Sequence, residues 1–103
     1  MYTLAVDIGG TKIATGVMDE KNEWVATDKH ASVTTSSDEM FTALVDSINT
    51  LIEKSKIPLV EIKAIGITVP GQIDVDNGIA IYANNLPWRH FPLKAKLQKL
   101  YPN

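Results

Sequence analysis

Asp7-Ile8-Gly9-Gly10-Thr11-Lys12 sets a carboxylate at the end of an extended segment, two glycines in a turn, then a hydroxyl and an ammonium. Glycine lets the backbone take positive φ and come close to a ligand. The N–H groups of Gly9 and Gly10, with those of Thr11 and Lys12, suit a concave donor site for phosphate oxygens. Asp7 would repel phosphate unless a hard cation such as Mg²⁺, or its bound water, lay between them. Lys12 either balances charge there or pairs with a surface acid. The stretch also reads as a plain glycine-turn hairpin carrying one solvated lysine.

The spacing excludes two other phosphate loops. No G-x-x-x-x-G-K-[ST] occurs, and a strand rather than a helix follows the glycines. No G-x-G-x-x-G is present for a dinucleotide. Phosphate bound here would bind a β-hairpin turn.

Upstream of the turn, Tyr2–Ile8 alternates Leu4, Val6 and Ile8 with Thr3, Ala5 and Asp7, the period of a strand. Downstream, residues 13–18 form an apolar, partly β-branched run, and so tight a link favours antiparallel pairing. Asp19-Glu20-Lys21-Asn22 reads as a second turn, with a third strand over residues 23–31. Ser36 and Glu39 then have capping-box spacing, and Asp38 adds negative charge where a helix dipole favours it. Phe41, Leu44, Val45, Ile48, Leu51 and Ile52 recur at helical spacing, Lys54 and Lys56 sit near the end, and Pro58 stops the helix. Residues 62–69 are apolar on both parities except Lys63 and Thr68, the pattern of a strand buried on both faces within a parallel sheet.

Beyond Val69 the punctuation changes. Pro70-Gly71 and Asp74-Val75-Asp76-Asn77-Gly78 mark a loop and a hairpin turn, and residues 78–82 a short strand. Asn84-Asn85-Leu86-Pro87-Trp88 reads as a loop, and residues 93–100 as a short helix with Leu93, Leu97 and Leu100 inward. The class is α/β, a mixed sheet in the order βββαβ(β)α. A crossover helix should return to the sheet, so the chain is expected to be truncated before the next parallel strand.

Bulk properties set outer limits. The chain has 103 residues, 45% hydrophobic and 21% charged, a globular balance for about one domain. A net charge of −2 gives no basic field to track a nucleic-acid backbone. The absence of cysteine excludes disulfides and thiolate metal sites within these residues. Apolar runs are too short to span a bilayer and no signal peptide opens the chain, so no membrane role and a cytoplasmic location are expected.

A phosphate-binding hairpin turn in this element order resembles the N-terminal lobe of the actin-like ATPases, a ribonuclease H-like fold. Within that superfamily, Met1-Tyr2-Thr3-Leu4-Ala5-Val6-Asp7-Ile8-Gly9-Gly10-Thr11-Lys12 is similar to the first strand and phosphate loop of the ROK family. That family contains glucokinases, N-acetylhexosamine kinases, fructokinases and sugar-responsive repressors. Ile65-Gly66-Ile67-Thr68-Val69-Pro70-Gly71 resembles its strand and Pro-Gly loop at the edge of the sugar cleft. Asn84-Asn85-Leu86-Pro87-Trp88 resembles its Asn-Leu segment, and His90-Phe91-Pro92-Leu93 fits the approach to the following helix. The landmarks run in the family's order over nearly the whole chain, far more specific together than singly.

The resemblance implies an ATP-dependent kinase of a hexose or hexose derivative. Asp7, Gly9, Gly10, Thr11 and Lys12 would serve Mg-ATP, with no direct metal ligand among them. Asn85 would bring a side-chain amide to sugar hydroxyls, which both donate and accept as an amide does. Gly71 would let the backbone approach the same sugar, and Asn84 is the less securely placed asparagine. The family's catalytic aspartate follows an asparagine on the next strand, so the base is expected downstream of Asn103, together with a structural zinc segment and the adenosine lobe. These 103 residues alone are therefore expected to be inactive. Glucose, N-acetylmannosamine, N-acetylglucosamine and β-glucoside acceptors differ by contacts that come largely from other residues. A homodimer is expected of the full-length protein.

The alternative is the sensor domain of a ROK transcriptional regulator. Repressors carry a DNA-binding segment ahead of the first strand, whereas Met1 stands almost at that strand here, and the phosphate loop is intact. Both features favour the kinase. Trp88 either stacks on a sugar or covers a core edge, the latter being commoner. His30 reads as a surface residue and His90 lacks a partner to make it a base. Asp74, Asp76 and Asn77 read as turn residues.

Overall fold

The computed structural model describes residues 1–102, and these form two sheets, two α-helices and a short 3-10 turn at Leu59–Glu61. The meander forms as its alternation dictates, with β1 (Tyr2–Ile8), β2 (Lys12–Met18) and β3 (Trp24–Ala31) paired antiparallel in sequence. Helix α1 (Ser37–Ser55) crosses over and returns the chain as β4 (Ile62–Thr68), which pairs parallel with β1. The sheet order is β3-β2-β1-β4.

Helix α1 starts where the capping spacing places it. The Glu39 N–H donates to Ser36 Oγ at 3.1 Å, and that hydroxyl in turn donates to the Glu39 carboxylate at 3.2 Å. It ends on Lys56 in the left-handed region, whose N–H reaches the Ile52 and Glu53 carbonyls. Met40, Leu44, Ser47, Ile48 and Leu51 are buried on its inner face, with Phe41 and Ile52 partly covered. Ser47 sits in this apolar stripe because its hydroxyl donates back to the Ala43 carbonyl at 2.7 Å. Across from the helix, Leu4, Val6, Ile8, Ile13 and Val17 complete one core.

Strand β4 departs from the sequence reading. Ile65 and Ile67 lie opposite Leu4 and Val6 and share their core-facing parity, but Ala64, Gly66 and Thr68 are exposed. β4 is an edge strand of the four-stranded sheet, and no described helix covers the face opposite α1. Among the described residues, β4 is therefore covered on one face only.

After β4 the chain builds a smaller antiparallel sheet, β5 (Gln72–Asp74), β6 (Ile79–Tyr82) and β7 (Arg89–Phe91), followed by α2 (Leu93–Leu100). The β5–β6 turn and β6 fall where the punctuation places them. β7 has no alternation to announce it, since it is three residues long and is set by pairing Phe91 with Ala80 and Arg89 with Tyr82. In α2, Leu93 and Leu97 are buried as expected, but Leu100 is 48% exposed. Tyr101 takes the inward place instead, 9% exposed, its hydroxyl donating to Asn49 Oδ1 of α1 at 2.6 Å. Asn103, and with it the parallel strand expected beyond α2, lies outside the described residues.

Candidate functional site

The carboxyl ends of β1 and β4 lie side by side, and ligands of α/β sheets gather at such ends. Asp7 and Thr68 are register partners there, and the Thr68 hydroxyl donates to Asp7 Oδ1 at 2.8 Å. The Asp7 carboxylate is thus oriented by one hydrogen bond yet remains exposed. Gly9-Gly10-Thr11 turns the chain into β2, closed by the Gly9 N–H on the Lys12 carbonyl at 2.9 Å.

Ser32, just past β3, fixes the loop from outside. Its N–H donates to the Thr11 carbonyl at 2.8 Å and its hydroxyl to the Gly9 carbonyl at 2.6 Å. Loop carbonyls are thereby occupied, whereas among the described residues the Gly10 and Thr11 N–H groups have no protein acceptor. Free donors on a turn with its acceptors tied back make a nest for an anion. Lys12 is exposed and, among the described residues, joins no ion pair, so a charge-balancing role is open to it.

The two other landmarks meet this loop through segment 82–86. Gly71 has φ +89°, and a Cβ there would lie 2.2 Å from the Tyr82 carbonyl oxygen and 2.8 Å from Ala83 Cβ. Gly71 thus needs glycine for both its left-handed backbone and its own packing. At the other end of the segment, a Cβ on Gly10 would lie 2.8 Å from Asn85 Nδ2. The glycine loop after β1, the Pro-Gly loop and the asparagine segment therefore converge on one edge of the molecule.

The two asparagines are not equivalent. The Tyr82 hydroxyl donates to Asn84 Oδ1, so that side chain is engaged within the protein. Asn85 is exposed, and among the described residues its amide has no hydrogen-bond partner. Behind them, the Arg89 guanidinium lies 4.3 Å over the Tyr82 ring and donates to the carbonyls of Leu86 at 2.7 Å and Trp88 at 2.8 Å. Ser32 is a support that no local motif announces, because the Gly9 and Thr11 carbonyls it meets lie more than twenty residues earlier and come beside it only on folding, whereas the partners of Arg89 are all close to it in sequence.

Trp88 takes the commoner of its two readings and lies in the core. It is 1% exposed, donates from Nε1 to the Ser37 carbonyl at 3.1 Å, and stacks on Phe91 with ring centroids 4.8 Å apart. Its burial ties the asparagine segment to the start of α1. His30 is partly exposed on β3 and contacts Asp28 at 3.2 Å. His90 is exposed with φ 48°, and among the described residues it has no partner to orient it. Asp74 is a turn residue as read: Asn77 donates to its carboxylate from N–H and Nδ2, which holds it below the usual carboxylate range. Among the described residues no cluster of His, Asp or Glu could hold a metal ion alone, so Asp7 would need phosphate oxygens or water to complete any Mg²⁺ shell.

Residues 3–102 match the family model described as ROK family. A glucokinase of Streptomyces coelicolor is 38% identical over 96 residues, which is 93% of this chain and 28% of that protein. An N-acetyl-D-glucosamine kinase of Vibrio cholerae is 35% identical over 92 residues, 89% of this chain and 29% of that protein. The crystal structure of a ROK family glucokinase from Streptomyces griseus in complex with glucose and AMPPNP superposes with a TM-score of 0.84 at 32% identity, covering 99% of this chain and 31% of that one. The chain thus spans under a third of the length of these relatives. The shared fold is the N-terminal lobe of an actin-like ATPase.

Proposed function

This chain belongs to the ROK family, and on that premise we propose that the whole protein transfers the terminal phosphoryl group of ATP to a hexose or hexose derivative in the cytoplasm. One observation carries the reading: the unpartnered Asn85 amide is seated against Gly10, so a hydroxyl-binding side chain and a phosphate loop share one edge. A kinase needs that adjacency, because phosphoryl transfer is governed by positioning and electrostatic stabilisation of the transferring group. The glucokinase of known structure that holds glucose and AMPPNP supports the same assignment.

In this reading each residue has a limited task. The Gly10 and Thr11 N–H groups hold phosphate oxygens, and Lys12 offsets their charge. Asp7, oriented by Thr68, would hold Mg²⁺ together with phosphate oxygens or water. Mg²⁺ when bound would neutralise charge developing on the phosphoryl oxygens. Asn85 donates to and accepts from the sugar, the Gly71 backbone approaches it, and Asn84 contributes less because Tyr82 already engages it. No residue of this chain is assigned as the base that accepts the sugar proton, and by resemblance that group lies downstream. Losing a general base costs about 10²–10⁴ in rate. The isolated 103-residue chain should therefore give no turnover.

A coupled ADP-release assay on the full-length protein, with a panel of hexoses and N-acetylhexosamines, tests the proposal. Sugar-dependent ADP release is expected from the full-length protein and none from residues 1–103. Hexose binding by the full-length protein without ADP release would instead favour the regulator's sensor domain. Turnover by residues 1–103 would refute the division of labour.

A further inference from the structure

The two glycines of the phosphate loop have different neighbours. A Cβ on Gly9 would lie 3.1 Å from the Lys12 carbonyl oxygen, inside the hairpin itself. A Cβ on Gly10 would meet Asn85 instead, 2.8 Å from Nδ2, 2.9 Å from Cβ and 3.1 Å from Cγ. Gly10 is not among the positive-φ residues, so no left-handed backbone calls for glycine there. What keeps this position free of a side chain is the asparagine.

The contact is hard to relieve. Nδ2 could swing away about χ2, but Asn85 Cβ moves only with its main chain. That main chain is held on both sides, by Gly71 packed on Tyr82 and Ala83 and by Arg89 bonded to the Leu86 carbonyl. We propose that Gly10 is a positioning residue for the sugar: its missing side chain seats the Asn85 amide against the phosphate loop and so registers the hexose beside the phosphate donor. The inference rests on the reading of Asn85 as a sugar ligand. It gives Gly10 a second task besides its N–H, one visible from the sugar side of the kinetics.

Gly10→Ala keeps the Gly10 N–H, so its phosphate donor survives. In the full-length protein, G10A is expected to raise the hexose KM roughly tenfold or more while the ATP KM stays within about threefold. Gly9→Ala, whose obstacle is the hairpin backbone, should shift the ATP KM more than the hexose KM. In an Asn85→Gly background the obstructing side chain is gone, so adding G10A should change the hexose KM by less than about twofold. Equal rises in both KM values for G10A, or a G10A effect undiminished in N85G, would overturn the proposal.

Thermal unfolding supplies a readout independent of activity. G10A should lower Tm, and G10A/N85G should return to the Tm of N85G alone. A double variant as destabilised as the sum of the singles overturns the proposal even if G10A is too unstable to assay. If the wild-type protein phosphorylates no sugar in the panel, the kinase reading fails, and the Tm cycle still decides whether Gly10 and Asn85 are coupled.

Discussion

Asn84 and Asn85 are adjacent, identical in chemistry and unequal in freedom. Asn84 spends its carbonyl oxygen on the Tyr82 hydroxyl, whereas Asn85 presents both amide atoms at the loop edge. Asn85→Ala in the full-length protein should raise the hexose KM roughly tenfold to a hundredfold, the loss of one or two hydrogen bonds to a ligand. Asn84→Ala should raise it less, and hexose KM values for the two variants decide the ranking. Asn85 was legible in the sequence as a residue type in a family segment, and Gly10 as part of a turn. That each is shaped by the other was not, because the two lie 75 positions apart and meet only when both sheets form. Ser32 was illegible for the same reason: a serine after a strand says nothing about which carbonyls it will meet.

At the scale of elements, local signals worked where the physics is local. The first hairpin, the capped helix α1 and the turn before β6 each follow from residues within one or two turns of chain. Ser36→Ala removes the acceptor for the Glu39 N–H and should cost about 1 kcal/mol in denaturant unfolding. The failures concern packing between elements. β4 is apolar on both parities, yet one face is open, and the end of α2 is buried through Tyr101 rather than Leu100. Burial, and secondarily the Asp46 carboxylate, raise the Tyr101 phenol above its ordinary value. A raised value means that the neutral phenol stabilises the fold below the unfolded-state value near 10, and that this is lost as pH rises through the folded one. Tyr101→Phe should therefore lose about 1 kcal/mol at pH 7, from the bond to Asn49, and show a shallower fall in stability above about pH 10. Urea unfolding of both proteins at neutral and alkaline pH checks the pair of slopes, and equal slopes would contradict this account of Tyr101.

Over the whole molecule, the order of strands decides what the residues can do. Parallel pairing of β1 with β4 sets the Asp7 carboxylate beside Thr68, and the small sheet carries Asn85 back to the turn between β1 and β2. This architecture was readable in outline, because element order and three separated landmarks constrain topology more than any one motif. Convergence of those landmarks on one edge was readable only from coordinates. We propose that this edge carries a phosphate loop and one wall of a sugar site in the same cleft. A crystal structure of the full-length protein with a hexose and a non-hydrolysable ATP analogue tests it most directly. Phosphate oxygens are expected on the Gly10 and Thr11 N–H groups and sugar hydroxyls on the Asn85 amide. Sugar bound away from Asn85, or phosphates that leave the 9–12 loop untouched, would contradict it.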